Sequence, residues 1–251
     1  INSTEYYEYI KYIKESPISF NSEKQIQQLD DLVNMRSQTI VDIDMNFNMR
    51  SIFETELNNI SLDFKFIDPR KLDRKKKSNF DIIYISNETG QICSLKSAHD
   101  EISKFYRYEF VNFFRELNII FQLNHPSILK FVGYSPHNPF TGHSIPLIFD
   151  EYAPNGSLLV LFLEIQRNEA NNKEWNDTKR LINIYGIAVG MAYLHANNII
   201  HRDLKPQYIL LDEKMYPKIT GFHLANEIDE ESTKSAHKLK GTPAYLAPEV
   251  Y

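Results

Sequence analysis

The strongest constraint on the fold is a change of hydrophobic period partway along the chain. From about residue 81 the apolar residues recur in short alternating runs, and from Ser157 onward they recur at helical spacing. "DIIYIS" (81–86) and "QICSLK" (91–96) read as two strands joined by "NETG", a short hairpin connection. An amphipathic helix follows, with Phe110, Phe113, Leu117 and Ile120 on one face. Two more strand-like runs come next, "LKFVGY" (129–134) and "PLIFDEY" (146–152). Beyond them Ser157 is placed to cap "LLVLFLEIQR". Asp177 is placed to cap a helix with Leu181, Ile184, Ala188, Met191 and His195 on one face. Strands first and helices after predict an α+β protein in two parts, with a hinge near "APNGS" (153–157).

Residues 1–60 read as mostly helical and carry no catalytic motif. Tyr6, Ile10 and Ile13 share one helix face, and "SEKQ" (22–25) is a capping box in which Gln25 reaches back to the Ser22 amide. Ile26, Leu29 and Val33 continue at helical spacing. "VDIDMNFNM" (41–49) alternates like a half-buried strand, but Asp and Asn are poor strand formers, so strand and loop both stay open there. "RKLDRKKK" (70–77) holds six basic residues and reads as a solvated loop.

Composition narrows the function classes. A 251-residue chain that is 42% hydrophobic and 24% charged can build one sizeable core or two small ones. Its net charge of −5 gives no global case for binding nucleic acid or a membrane surface. The single cysteine, Cys93, excludes an intramolecular disulfide framework and fits a reducing, cytoplasmic setting. The longest apolar run, "LLVLFL" (158–163), falls far short of the ~20 residues a membrane span needs. The chain opens on Ile1 rather than Met and shows no signal peptide, so a fragment of a longer protein is expected.

Several motifs then occur in one order. "YLHANNIIHRDLKPQYILLD" (193–212) resembles the catalytic-loop region of protein kinases, and "GTPAYLAPEV" (241–250) resembles their substrate-binding segment and APE motif. "LNHPSILKFVGY" and "DEYAPNGSL" look like the strands and hinge of the tyrosine-kinase-like group, whose members mostly phosphorylate Ser and Thr. The resemblance runs from about Phe64 to Tyr251. It implies a bilobal fold: a β-rich N-lobe over 61–152 and a helical C-lobe over 153–251, preceded by a helical segment over 1–60 with an interaction or regulatory role. The family's larger lobe continues past APE, so the C-lobe is expected to be incomplete.

Phosphoryl transfer from ATP is mainly positioning and neutralisation of a triphosphate. The resemblance supplies several parts of that machinery. "CSLK" resembles the strand that bears the phosphate-gripping lysine, which makes Lys96 that lysine. Glu116 in "FFRELNII" is its helix partner. Asp203 matches the carboxylate that orients the substrate hydroxyl, and Lys205 matches the residue that steadies the transferred phosphoryl group. Ile83, Ser94 and Leu210 match residues that sandwich adenine, and Glu151 and Ala153 match hinge positions beside it. Ile120, Phe131, His201 and Phe222 match the stack that aligns the lobes of active kinases. Asp150 falls at the gatekeeper position, where an unpaired buried carboxylate is costly.

Other parts are missing. Tyr208 stands where the family has a metal-binding Asn, and a neutral phenol is a poor Mg²⁺ ligand. The D-F-G segment reads Gly221-Phe222-His223, so the second metal carboxylate is gone, and an imidazole is no substitute for oxygen. Lys76, Ser78 and Asp81 occupy the three glycine positions of the phosphate loop, where side chains hinder backbone approach. These losses point to a pseudokinase: ATP is a candidate ligand, Mg²⁺ is not expected, and a signalling protein, another kinase among the candidates, is the expected partner. The alternative is a divergent active Ser/Thr kinase in which Lys75 to Lys77 supply the charge that Mg²⁺ normally brings. Ser232, Thr233 and Ser235 lie in the stretch that matches an activation segment (226–238).

Overall fold

The computed structural model describes residues 3–20, 72–77, 82–86, 92–97, 116–135, 147–167, 175–228 and 241–248. They fall into two units. One holds Asn21–Gln122 and Phe131–Glu151, and the other holds Ile1–Phe20, Leu123–Lys130 and Tyr152–Tyr251. Strands dominate the first and helices the second, as an α+β class requires.

The first unit is built on an antiparallel sheet of β2 (Leu72–Lys77), β3 (Ile82–Ser86), β4 (Ile92–Ser97), β6 (Phe131–Ser135) and β7 (Leu147–Glu151). Its strand order is β2-β3-β4-β7-β6. The alternation seen in the sequence does the work expected of it: Tyr84, Cys93, Leu95, Val132, Leu147 and Phe149 form one buried cluster. Tyr84 meets Phe149 edge-on at 6.1 Å. β7 lies inside the sheet and buries four consecutive residues, Leu147 to Asp150, the continuous pattern of a strand covered on both faces. Residues 116–122 are helical and bury Leu117, Ile119 and Ile120. Phe121 of this stretch packs edge-on against Phe131 of β6 at 6.2 Å.

One expectation is corrected here. Within the basic run, Leu72–Lys77 is not a loop but the edge strand β2, with a bulge between Arg74 and Lys76. Charge and bulges suit an edge, where they discourage pairing with another sheet.

The second unit carries α1 (Ser3–Glu15), α2 (Leu158–Gln166) and α3 (Asp177–Ala196). Short strands complete it: β1 (Ser19–Phe20), β5 (Leu123–Asn124), β8 (Ile199–Ile200), β9 (Ile209–Leu211), β10 (Pro217–Ile219) and β11 (Asn226–Glu227). Ser157 caps α2 as expected, its hydroxyl accepting from Val160 N. For α3 the cap is Asn176, whose side chain accepts from Lys179 N at 3.0 Å. Asp177 is instead the first helical residue and pairs with Arg180 at 2.8 Å, an acid in the first turn where the helix dipole favours it. No helix among the described residues is long and apolar enough to cross a membrane.

The helical-spacing residues of α3 named above do not form its buried face. Ile184 is 66% exposed, and Ala188 and His195 are exposed with it. The buried face is Thr178, Ile182, Asn183, Gly186, Gly190, Tyr193 and Leu194. Two glycines four residues apart explain the choice, because they admit neighbours that a side chain would exclude. A Cβ on Gly190 would lie 2.8 Å from Ile219 Cδ1, and one on Gly186 would lie 2.5 Å from Pro217 Cγ and also strike Tyr9 Oη.

Tyr9 brings α1 onto this surface. Tyr9 and Ile13 cluster with Ile182, flanked by Tyr6, Tyr185, Val189 and Tyr216. Tyr9 packs against Tyr216 with the rings tilted, centroids 4.5 Å apart, and shares a buried hydrogen bond with Ser127 Oγ at 3.2 Å. Glu5 pairs with Lys179. β1 then adds to β5, matching Ser19 with Asn124 and Phe20 with Leu123. The capping box at 22–25 and the 41–49 stretch lie outside the described residues.

Candidate functional site

Two short strand pairs bring the key loops together. β8 pairs with β11, and β9 pairs with β10. Residues 201–208 run from β8 to β9, and residues 220–225 run from β10 to β11, so the pairs align the two loops. Thr220 N donates to Tyr208 O at 2.9 Å and ties them directly. Pro206 opens a single 3₁₀ turn, Pro206–Tyr208, where its fixed φ fits and its missing N–H costs nothing.

Asp203 sits at the centre and is 4% exposed. Its Oδ1 accepts from Thr242 N at 2.8 Å and from Thr242 Oγ1 at 2.7 Å. Its Oδ2 lies 2.8 Å from Lys205 Nζ. Lys205 Nζ donates onward to Thr242 Oγ1 at 2.6 Å. Burial alone would raise the Asp203 pKa, but the bonds from Lys205 and Thr242 outweigh it and hold the carboxyl below its usual range. Burial likewise opposes the charge on Lys205, and its bond to Asp203 raises that ammonium above its ordinary value. Asp203 and Lys205 are thus brought together as a charged pair. Thr242, which the sequence reading left unremarked inside "GTPAYLAPEV", closes the cluster.

The neighbouring histidines differ in role. His201 is buried, and its Nε2 bonds the Thr220 carbonyl at 2.8 Å. That carbonyl only accepts, so Nε2 carries the proton and Nδ1 accepts from Asp203 N at 3.3 Å. Its ring also packs on buried Phe222 at 5.1 Å. His223 is partly exposed, with Nε2 3.8 Å from Asp203 Oδ2, within ion-pair range when the imidazole is protonated.

Tyr208 and Gly221 meet face to face. Gly221 has φ +86°, and a Cβ built on it would fall 2.6 and 2.7 Å from Tyr208 Cδ1 and Cδ2. Lys205 Nζ lies over the same ring, 4.5 Å from its centre, and His223 meets it edge-on at 5.4 Å. These residues do not fit a divalent cation. Mg²⁺ needs several oxygen donors in near-octahedral array. Here one position offers a neutral phenol, the other offers no side chain, and both Asp203 oxygens are already engaged.

The remaining expected site residues lie in both units. In the first, Ile83 and Ser94 are cross-strand partners, and Ser94 Oγ donates to the Glu151 carbonyl at 3.5 Å. Asp150 is buried on β7, in register with Ser94 and Phe131. Lys96 is on β4 opposite Ile148, and Glu116 is buried in the helical stretch. The Lys96 side chain lies outside the described residues, as do Ser78, Asp81 and the stretch holding Ser232, Thr233 and Ser235. In the second unit Leu210 sits on β9 and bridges to Ser157, four residues after Ala153.

Comparison with known proteins places this geometry. The family model described as "Protein kinase domain" matches residues 82–251. The chain is 37% identical to cysteine-rich receptor-like protein kinase 42 of Arabidopsis thaliana, over 55% of this chain and 20% of that protein. It is 34% identical to inhibitor of nuclear factor kappa-B kinase subunit alpha of Xenopus laevis, over 67% of this chain and 22% of that protein. L-type lectin-domain containing receptor kinase VIII.1 of Arabidopsis thaliana is also 34% identical, over 68% and 22%. The matched region spans about a fifth of the length of these relatives.

Proposed function

The chain belongs to the protein kinase family, and on that premise we propose that it is a pseudokinase, a kinase fold that acts as a scaffold or allosteric regulator by binding a signalling protein. The observation that carries this reading is the Tyr208–Gly221 contact, which puts an aromatic ring and a bare glycine at the two positions where the family binds its metal. Losing one ligand leaves a weakened site. Losing both, with a ring in the space between, leaves neither a carboxylate nor an amide oxygen at the two positions for a triphosphate-bound cation. The exchanged glycine-loop positions Lys76, Ser78 and Asp81 point the same way. Lys96, Glu116 and the adenine-contact positions support ATP as a ligand held without metal and without turnover, so that nucleotide serves as a switch. Another kinase is one candidate for that partner, and the sole, buried Cys93 suits a cytoplasmic setting. The test is phosphotransfer from labelled ATP to a generic Ser/Thr protein substrate, compared with Lys96→Ala. Equal, background-level signal is expected. Stoichiometric transfer above that control refutes the reading.

A divergent active Ser/Thr kinase is the second reading. Asp203, held ionised beside Lys205 and Thr242, favours it, because that carboxylate keeps the state a substrate-orienting group needs. On that reading Lys75 to Lys77 supply the missing charge. Reversing all three to Glu then abolishes nucleotide binding, whereas unchanged binding removes this alternative.

A further inference from the structure

We infer that the Tyr208 ring does in this chain the positioning that a divalent cation would do, and that Tyr208 and Gly221 form one interlocked pair in which neither can revert alone. The functional meaning of this pair rests on the metal-free reading above. Its structural basis does not.

Three observations carry the inference. First, the Thr220 N to Tyr208 O bond fixes the two backbones side by side. Residue 221 therefore projects any side chain at the Tyr208 ring. The atoms in the way are Cγ, Cδ1 and Cδ2, at the root of the ring rather than its tip. A flexible end could move aside cheaply, but a ring root moves only if the whole side chain changes rotamer. Second, that rotamer is held from other sides. Lys205 Nζ lies on one face of the ring, and His223 meets it edge-on. Third, the ring covers an ammonium that is itself bound to Asp203 and Thr242. Aromatic faces attract cations, most strongly away from water, and Lys205 has only 13% side-chain exposure. The positive charge beside Asp203 is thus built into the chain, and the ring keeps it in place. The link from residues 203–205 to Thr242 is made by protein groups alone: Lys205 Nζ, the Asp203 carboxylate and the Thr242 hydroxyl and amide.

The pairing makes a specific claim about the two exchanges. An Asp at 221 meets the ring, and an Asn at 208 leaves the Lys205 ammonium uncovered and Gly221 facing a gap. Only the double exchange gives both side chains room.

A double-mutant cycle on the full chain tests the interlock through stability, independently of activity. Gly221→Ala is compared in the Tyr208 chain and in the Tyr208→Ala chain by thermal unfolding. The cost of a Cβ at positive φ is common to both backgrounds and cancels. Gly221→Ala should lower Tm more in the Tyr208 chain, by a margin of at least about 2 °C for a chain of this length. Equal shifts overturn the interlock. Unfolding of Gly221→Ala alone, with rescue by Tyr208→Ala, is its strongest form. A second arm uses Mn²⁺ alone as probe, without nucleotide. Mn²⁺-dependent stabilisation is expected in Tyr208→Asn/Gly221→Asp and absent in Gly221→Asp. A shift in Gly221→Asp alone means that the ring swings aside and the pair is not locked. No shift in the double variant means that the ring is not what excludes the cation. The proposed function could still hold in either case, because the phosphotransfer assay tests it separately.

Discussion

Docking of α1 on α3 yields a sharp prediction, because a substitution that ordinarily stabilises a helix should do the opposite here. Replacing Gly by Ala inside a helix gains about 1 kcal/mol in the absence of tertiary contacts. At Gly186 the new Cβ would lie 2.5 Å from Pro217 Cγ and strike the Tyr9 hydroxyl. Such overpacking costs about 1–3 kcal/mol, so Gly186→Ala should be net destabilising by roughly 1 kcal/mol once the helix gain is subtracted. Tyr9 is 2% exposed, and truncating a buried aromatic costs about 3–5 kcal/mol. Tyr9→Ala should therefore be the larger loss. Tyr9→Phe keeps the ring and leaves Ser127 Oγ without its 3.2 Å partner, a loss of about 1–2 kcal/mol. The assay is equilibrium urea unfolding of the full chain. In the Tyr9→Ala background one of the two clashes is gone, so Gly186→Ala should cost less there than in the parent. A stabilising Gly186→Ala together with a Tyr9→Ala loss below about 1 kcal/mol would refute the docked arrangement, since neither result is compatible with a buried Tyr9 at this glycine.

Two further outcomes follow from named residues. Burial, and to a lesser degree the positive charge of Lys218, depress His125 from 6.5 to about 4. Its neutral ring accepts from Ser127 N at 3.0 Å and stacks on Tyr193. The unfolded chain then takes up a proton before the folded one. The stability this contributes is complete above about pH 6.5 and is lost as pH falls towards 4, by up to about 3 kcal/mol. Urea midpoints at pH 7 and pH 4.5 measure it, and His125→Asn should shrink the difference between them. At the start of α3, Asn176→Ala should cost about 1 kcal/mol. Asp177→Ala should cost only a few tenths, because its pair with Arg180 is solvent-exposed. The reverse order in thermal unfolding would return the cap to Asp177.

Much of the scaffold is legible in local pattern, and most of what is not depends on contacts between distant residues. Alternation at 81–86 and 91–96 leads directly to β3 and β4, and Ser157 is a cap that can be read from one residue and its neighbours. Asn176 and Asp177 are both good caps on composition, and the extended backbone at Asn176 and its side-chain bond from Lys179 N separate them. The buried face of α3 is not legible in local pattern, because apolar residues lie on both sides of the helix. The signal that could have decided it is the Gly186–Gly190 spacing, since glycines inside a helix mark close approach by something else. The basic run shows charge but not pairing, and its place at a sheet edge depends on β3. At the site, Asp203 and Lys205 stand out by motif. The exchanges at 208 and 221 read in sequence as two independent losses, yet thirteen positions apart they form a single contact. Thr242 escapes notice because its role requires the chain to return to Asp203 across 39 residues.

The most direct test of metal-free function is thermal unfolding of the full chain with saturating ATP, with Mg²⁺ present and with Mg²⁺ chelated. A ligand at 100 times its Kd stabilises by about 2.7 kcal/mol, which is readily measured. With Tyr208 and Gly221 in contact, the expected result is no Mg²⁺-dependent shift, any ATP effect being the same in the chelator. Stabilisation that appears only with Mg²⁺ would contradict the central claim, since some other group would then be holding the metal and the chain would again be a candidate enzyme.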